Sequence, residues 1–259
     1  MIHPTAIIDP KAELASDVTV GPYSIIGPKV KIDVGTWVGP HVVIGGDTYI
    51  GKNNQIYQFA SLGEAPQDKK YAGEDTRLVI GDENRIRESV TVHRGTVQDQ
   101  SLTKIGSRNL LMAYVHVAHD CMLGDDIVCA NTATLAGHVT IGNYVIISAF
   151  CAVHQFAKIG SHTMISHGAL VTKDVPPYVL LVGNGGANLS VCGLNTEGLK
   201  RRGFSVKQIE ILKKAYKIVY REGLKLAEAI EQLQLLEQEG GIVKEFREFL
   251  EQSTRGIVR

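Results

Sequence analysis

The sequence predicts a mainly β solenoid of hexapeptide repeats followed by a small C-terminal α-helical domain. Three observations predict it. From Ile105 every sixth residue is aliphatic apart from one cysteine: Ile105, Leu111, Val117, Leu123, Cys129, Leu135, Ile141, Ile147, Val153, Ile159, Ile165 and Val171. The residue four further on is usually small or β-branched, as at Val115, Ile127, Ala133, Val139, Ala157 and Ala169. Past Pro176-Pro177 the hexad stops, and from Thr196 apolar residues recur at helical spacing. A period of six fits neither a lone helix nor an alternating strand. Sustained this long, it marks stacked parallel strands that bury each other's aliphatic residues.

The repeat starts almost at the first residue, with Ile2, Ile8, Leu14 and Val20, and runs unbroken to Leu62. No separate domain is expected before it, and the first coil needs a cap that the sequence does not identify. The polar, charged run GEAPQDKKYAGEDTR then interrupts the pattern, which resumes at Ile80, Ile86 and Val92. This insertion, near 63–79, is either a carrier of binding residues on a rigid scaffold or a solvated surface loop. A second insertion, QDQSLTK at 98–104, shifts the phase because 105 − 92 = 13 is not a multiple of six, so the coil bulges outward there. Gly106, Gly124, Gly142 and Gly160 follow aliphatic positions and are expected to supply positive φ at turn corners. Pro176-Pro177 removes two backbone donors and ends strand pairing, so the solenoid spans 1–178. Residues 179–195, rich in Gly and Asn, read as a linker loop before a helical domain over 196–259. There Ser205 is expected to cap a helix with Ile209, Leu212, Tyr216 and Val219 on one face and Lys214, Lys217, Arg221 and Lys225 on another. A Leu- and Glu-rich helix ending at Gly240-Gly241 and a third carrying Phe246, Phe249 and Leu250 follow.

Charge is balanced, 27 Lys and Arg against 27 Asp and Glu, which gives no electrostatic reason to propose nucleic acid as a partner. No apolar run approaches the ~20 residues of a membrane span, and Met1-Ile2-His3-Pro4-Thr5 does not begin a signal peptide. A cytoplasmic protein without an integral membrane segment is the expectation. Cys121, Cys129 and Cys151 fall on inward positions and no CxxC pair occurs, so they read as small core residues. Cys192 lies outside the repeat and has no account.

Hydrolase and zincin chemistry have no motif, since neither GxSxG nor HExxH is present. His162 and His167 have an H-x4-H spacing that suits a zinc site shared between subunits, as in solenoid carbonic anhydrases, but a third ligand is lacking. HVAHDC at 116–121 is more informative. Three hexads make one coil in solenoids of this kind, so residues 18 apart stack at ~4.8 Å. His119 then lies below Gly137, whose backbone no side chain screens, with Gln155 one coil further up. Asp120 lies below His138, and His116, His119, His138 and His154 all point outward. A neutral imidazole beside a free N–H is what acyl transfer to a hydroxyl needs, a base near pKa 7 and an oxyanion donor. The bland alternative is a row of histidines that are solvated or covered by oligomer contacts.

Several motifs go further. IYQFASLGE at 56–64, QDKKYAGE at 67–74, NRIRESVTVHRGTVQ at 84–98, AHDC at 118–121, ATLAGHV at 133–139, VHQF at 153–156, DVPPY at 174–178 and EGLKRRGFS at 197–205 closely resemble the UDP-N-acetylglucosamine O-acyltransferase family, from the first coil to the terminal STRGIVR. The resemblance implies a left-handed parallel β-helix, against the usual right-handed crossover, and a homotrimer with active sites between neighbouring prisms. It implies transfer of an (R)-3-hydroxyacyl group from acyl carrier protein to the 3-hydroxyl of UDP-N-acetylglucosamine, the first step of lipid A biosynthesis, with no cofactor and no metal. His119 would be the general base, Gly137 the oxyanion donor and Asp120 an orienting carboxylate, although stacking puts Asp120 under His138. Gln67, Asp68 and Lys70 would hold sugar and phosphates, with His116, His138, His154 and Gln155 lining the same cleft. Asn195, Glu197, Arg201 and Arg202 would bind the nucleotide, paired arginines suiting a diphosphate. The cationic helix face would receive the acidic carrier, or be simply solvated. The segment 182–195, which ends on Asn195, departs from the family pattern. His167 stands where glycine is common, at the far end of the acyl groove, which implies an acyl chain shorter than fourteen carbons. Rival functions are an N-acyltransferase on a UDP-amino sugar, which normally begins with a uridine-binding domain, and a zinc-dependent solenoid carbonic anhydrase.

Overall fold

The computed structural model describes residues 1–183 and 188–259. Short strands, most of two residues, stack into three sheets of nine, eight and ten strands among the described residues. Through the coils each strand pairs in parallel with the one a full turn later, and together they wind a three-sided left-handed parallel β-helix. The vertical step is eighteen residues where the repeat is unbroken, as in Ile105 under Leu123 and Leu123 under Ile141. Both inward positions of the hexad are buried from the second coil onward, and Cys121, Cys129 and Cys151 sit among them. Burial raises the thiols of Cys121 and Cys129 to about 12, leaving both inert at neutral pH. The first coil is not sealed: Ile2 is 51% exposed, and Ile8 and Leu14 are only partly covered.

The two insertions leave the prism and return to the same rung. Ile50 pairs with Ile80 and Ile80 with Ile105, steps of 80 − 50 = 30 and 105 − 80 = 25 residues in place of eighteen. The first loop is tighter than the sequence suggests, and the second begins and ends earlier in the chain than expected. The first spans 65–76 between strands Ser61–Glu64 and Arg77–Ile80. The second spans 94–101 between Thr91–His93 and Leu102–Ile105. The strands reach into each expected loop because their backbones still find ladder partners, Arg77 against Asp47 and Leu102 against Arg77.

Two expectations are corrected. Gly106, Gly124, Gly142 and Gly160 do not carry the positive φ of the corners. That conformation falls two residues later, on Arg108, Asp126, Tyr144 and His162, at φ of 58–60°. The glycines are required by close approach instead, since a Cβ on Gly106 would lie 2.4 Å from the Gly124 carbonyl oxygen. Residues 179–195 are not a linker loop. Val179–Gly183 adds a parallel strand above Met164–Ile165, and Leu189–Leu194 pairs antiparallel with it. Residues 184–187 between them lie outside the described residues. The apolar runs VLLV and LSVCGL offer ladder groups to the open edge of the last coil, which local Gly and Asn content does not reveal. Cys192 is exposed on the second of these strands.

Among the described residues four α-helices follow: α1 (Thr196–Arg201), α2 (Val206–Tyr220), α3 (Leu226–Leu236) and α4 (Val243–Glu251). Ser205 caps α2 in a reciprocal box with Gln208, and Ile209, Leu212, Tyr216 and Val219 are buried as their spacing requires. The short helix α1 was not foreseen. The domain docks through Tyr178, whose hydroxyl donates to Glu245 of α4. The tail docks through Asp174, fully buried, which accepts from Ser253 Oγ (2.7 Å) and Lys158 N–H (2.8 Å).

Candidate active site

The vertical registration around His119 is as stacking predicts. The His138 N–H donates to the His119 carbonyl (3.0 Å), and the Phe156 N–H donates to that of Gly137 (3.1 Å). The His119 ring therefore lies against the Gly137 backbone: a Cβ at 137 would fall 2.5 Å from Cε1 and 2.8 Å from Nε2. Among the described residues the Gly137 N–H has no backbone acceptor. The corner is a coil turn, and its glycine leaves both that amide and Nε2 accessible.

Asp120 turns out to serve both imidazoles. Its Oδ2 lies 2.8 Å from His119 Nδ1 and 3.8 Å from His138 Nε2. The side chain is only 1% exposed, although the hexad puts it off the inward positions. The 94–101 loop covers it: the Thr96 N–H donates to Oδ1 (2.8 Å) and the Thr96 hydroxyl to Oδ2 (2.6 Å), while Thr103 Oγ1 accepts the Asp120 N–H (2.8 Å). With Nδ1–H bound to the carboxylate, the Nε2 lone pair of His119 is the one left for chemistry. His138 stands edge-on to His119 at 5.1 Å, stacks on Phe156 at 4.3 Å, and hydrogen-bonds through Nδ1 to Asp99 (2.8 Å).

These groups open on a cleft of about 850 Å³ lined by Gln67, Asp68, Lys69, Lys70, Gln98, Asp99, His119, His138, Gln155 and Phe156. Both insertions supply its walls, which favours the binding alternative for the first one. That loop is pinned by Arg94, whose guanidinium donates to the Gly63 carbonyl (2.7 Å) and to the Tyr71 hydroxyl (2.8 Å). Tyr71 in turn donates to the Glu74 carbonyl (2.7 Å), and Lys29 pairs with Asp75 (2.7 Å). His116 and His154 do not line the cleft. His116 Nδ1 lies 2.7 Å from Thr91 Oγ1, and its ring meets that of His93 edge-on at 4.9 Å. Exposed His154 has Nδ1 3.0 Å from the Gln155 carbonyl and 3.3 Å from Arg255. Burial keeps His116 below the usual imidazole range, with His119 adding to the effect. His93 is pushed down to about 4 by burial first, then by His116 and His119. Among the described residues its buried Nδ1 has no hydrogen-bond partner.

The nucleotide group is not brought to this corner. Asn195 caps α1, accepts the Gly198 N–H (3.2 Å) and donates to the His162 carbonyl (2.9 Å), so its amide is used in holding the domain. Glu197 pairs with Lys200 (2.8 Å), and that bond holds its carboxyl below the usual range. Arg201 is exposed on the same helix. Arg202 lies 4.7 Å over the Tyr144 ring, at the next corner of the prism. His167 is exposed on a third corner, level with Gly168 and one coil above Phe150, itself 69% exposed.

The zinc alternative gains nothing from the geometry. His162 is stacked between Tyr144 (4.8 Å) and Tyr178 (5.6 Å), and among the described residues neither it nor His167 joins a cluster of three metal-ligating side chains. His119, Asp120 and His138 do form one, with ligand atoms within 4.8 Å of each other. Both Asp120 oxygens already accept hydrogen bonds, Oδ2 two of them, so the donor set suits a proton relay better than a cation.

Sequence reasoning missed Thr96, Asp99, Arg94 and Tyr71. Their signals were the two breaks in the repeat, the first holding Tyr71 and the second beginning at Asp99's neighbour Gln98, and the motifs QDKKYAGE and NRIRESVTVHRGTVQ that contain Tyr71, Arg94 and Thr96.

A hexapeptide-repeat coil bearing a carboxylate-bound imidazole under a free amide defines the class, the solenoid acyltransferases. A family model described as UDP-N-acetylglucosamine O-acyltransferase, domain 2, matches residues 174–258. Over its full length the chain is 55% identical to the acyl-(acyl-carrier-protein)-UDP-N-acetylglucosamine O-acyltransferase of Janthinobacterium sp., covering 100% of this chain and 99% of that one. Identity and both coverages are the same for the protein of that name from Thiobacillus denitrificans, 55%, 100% and 99%. Among solved structures, UDP-N-acetylglucosamine O-acyltransferase of Moraxella catarrhalis is 49% identical with a TM-score of 0.97, covering 100% of this chain and 99% of that one. The Francisella novicida enzyme is 43% identical with a TM-score of 0.97, at coverages of 100% and 94%. The chain belongs to the UDP-N-acetylglucosamine O-acyltransferase family.

Proposed function

We propose that the protein transfers an (R)-3-hydroxyacyl group from acyl carrier protein to the 3-hydroxyl of UDP-N-acetylglucosamine, with His119 as the base. One observation carries the assignment of roles: His119 is tied through Nδ1 to Asp120 and presents Nε2 beside the unengaged amide of Gly137. Nε2 takes the proton of the sugar hydroxyl as its oxygen attacks the thioester carbonyl, and Asp120 stabilises the imidazolium that forms. The oxyanion of the tetrahedral intermediate accepts the Gly137 N–H, an interaction worth about 3 kcal/mol of transition-state stabilisation. Collapse forms the ester and expels the carrier thiolate, which recovers the proton from His119.

Asp68 and Lys70 on the pinned loop bind the sugar and its phosphates, with Gln67 beside them. The site is completed by other protomers of a homotrimer, which act in the cytoplasm. What supports this is the scatter of family residues over three corners of one prism: His119 on the first, Arg202 on the second, His167 on the third. Exposed Tyr114 (65%) and Phe150 (69%) near the third corner are apolar surface for an acyl chain, which His167 shortens below fourteen carbons.

The test is incubation with UDP-N-acetylglucosamine and 3-hydroxyacyl carrier proteins of several lengths, wild type beside His119→Ala. Alkali-labile product from the wild type alone is expected. An alkali-stable amide on an amino sugar would move the activity to N-acyl transfer, and full turnover by His119→Ala would remove the base.

A further inference from the structure

The run from Thr91 to Asp99 contacts His116 and His138 directly and reaches His119 through Asp120, yet Thr91, Thr96 and Asp99 are not among the family site residues named from the sequence. Thr91 meets His116, Thr96 grips Asp120 beneath His119, and Asp99 bonds His138. We propose that the 94–101 loop is a positioning element for the catalytic histidine pair, with Thr96 setting His119 through Asp120 and Asp99 setting His138.

A carboxylate aligns an imidazole only if it cannot rotate about its own χ2. Thr96 holds both Asp120 oxygens at once, the N–H on Oδ1 at 2.8 Å and the hydroxyl on Oδ2 at 2.6 Å. Oδ2 also receives His119 Nδ1–H at 2.8 Å, so the plane of the carboxylate and the direction of Nε2 are fixed together. Thr96 is fully buried, so the clamp does not compete with water. His138 has the matching constraint on its far side. Asp99 Oδ2 accepts Nδ1–H at 2.8 Å, which turns Nε2 inward toward Asp120 at 3.8 Å. Neither Thr96 nor His138's partner is supplied by the coil itself. A plain eighteen-residue turn has no chain at this place, which gives the seven extra residues between Ile80 and Ile105 a chemical purpose.

The proposal rests on His119 being the base, and the experiment separates the two. Thr96→Val keeps the shape and the N–H but deletes the hydroxyl, and Thr96→Ser restores it. Expected are a fall of about tenfold or more in kcat for Thr96→Val, the weight of one hydrogen bond to a charged group, with KM for the nucleotide sugar within twofold of wild type. Thr96→Ser should recover to within about threefold of wild type. If Thr96 acts through Asp120, Thr96→Val in an Asp120→Asn background adds almost nothing. At the exposed end of the loop, Asp99→Ala should lower kcat/KM several-fold while Asp99→Asn, which keeps an acceptor oxygen, stays near wild type. Should Thr96→Val not fold, the Asp99 pair carries the decision alone. Wild-type kcat in folded Thr96→Val, or full additivity with Asp120→Asn, overturns the role of Thr96, and equal loss in Asp99→Ala and Asp99→Asn overturns that of Asp99. Retained turnover in His119→Ala would instead remove the base and leave the loop nothing to position.

Discussion

Adding one methyl group at Gly137 tests the site without touching the fold. The glycine does not use the left-handed region, so alanine imposes no backbone strain there. What it meets is the His119 ring, at 2.5 Å from Cε1, 2.8 Å from Nε2 and 3.1 Å from Nδ1. Ordinary carbon contacts lie at about 3.5–4.0 Å, so the ring must retreat by roughly 1 Å. It cannot do so freely, because Nδ1 is bound to Asp120 and Asp120 to Thr96. A displacement of about 1 Å in a reacting group corresponds to a loss on the order of 10²-fold, and a broken bond to a charged partner adds a further 1.5–3 kcal/mol or so. Gly137→Ala is therefore expected to melt near wild type while kcat/KM falls at least about a hundredfold. Gly27→Ala is the control, since its Cβ would stand no closer than 3.4 Å to any neighbour. Steady-state rates with a carrier-protein thioester and a thermal melt are the readouts. Turnover by Gly137→Ala within threefold of wild type would refute the idea that His119 works pressed against that amide.

Replacing His167 by glycine should move acyl preference toward longer chains, read from products across a carrier-protein length series. Global stability should depend on pH through His93, 6% exposed and with its pKa pushed down to about 4. An unfolded histidine titrates near 6.5, so this contribution is complete above about pH 6.5 and is lost as pH falls toward 4. The full amount is about 3 kcal/mol, seen in denaturant melts across that range and absent from His93→Phe. Tyr178→Phe leaves Glu245 without its phenol donor in a nearly closed interface and should lower stability by about 1–2 kcal/mol. A melt of that variant that coincides with wild type would show that the phenol does not hold the helical domain.

The prism was legible because its rule is local: one aliphatic residue every six, with a small partner four later, is enough to fix three faces. Stacking arithmetic then put His119 under Gly137 and Asp120 under His138 with no coordinates at all. It could not find the Asp120 bond to His119, because that depends on a carboxylate buried by a loop whose course no periodicity encodes. The same blindness hid Thr96 and Asp99. At the corners, glycine suggested backbone strain, whereas the left-handed residues are Arg108, Asp126, Tyr144 and His162, and glycine answers the close approach of the next coil instead. Residues 179–195 misled for a related reason, since their Gly and Asn look like loop until the last coil presents an unpaired edge. Asn195 sits just beyond that strand, and its amide is committed to α1 and His162.

The returns at Ile80 and Ile105 make the prism behave like a reading frame. Chain spliced in at a corner is invisible to every later rung, whereas a single residue lost within a rung would turn all that follows onto the wrong side. Natural variants and engineers alike can then exchange 65–76 as a cassette, re-cutting a wall that faces the substrate while the aliphatic column beneath stays as it is.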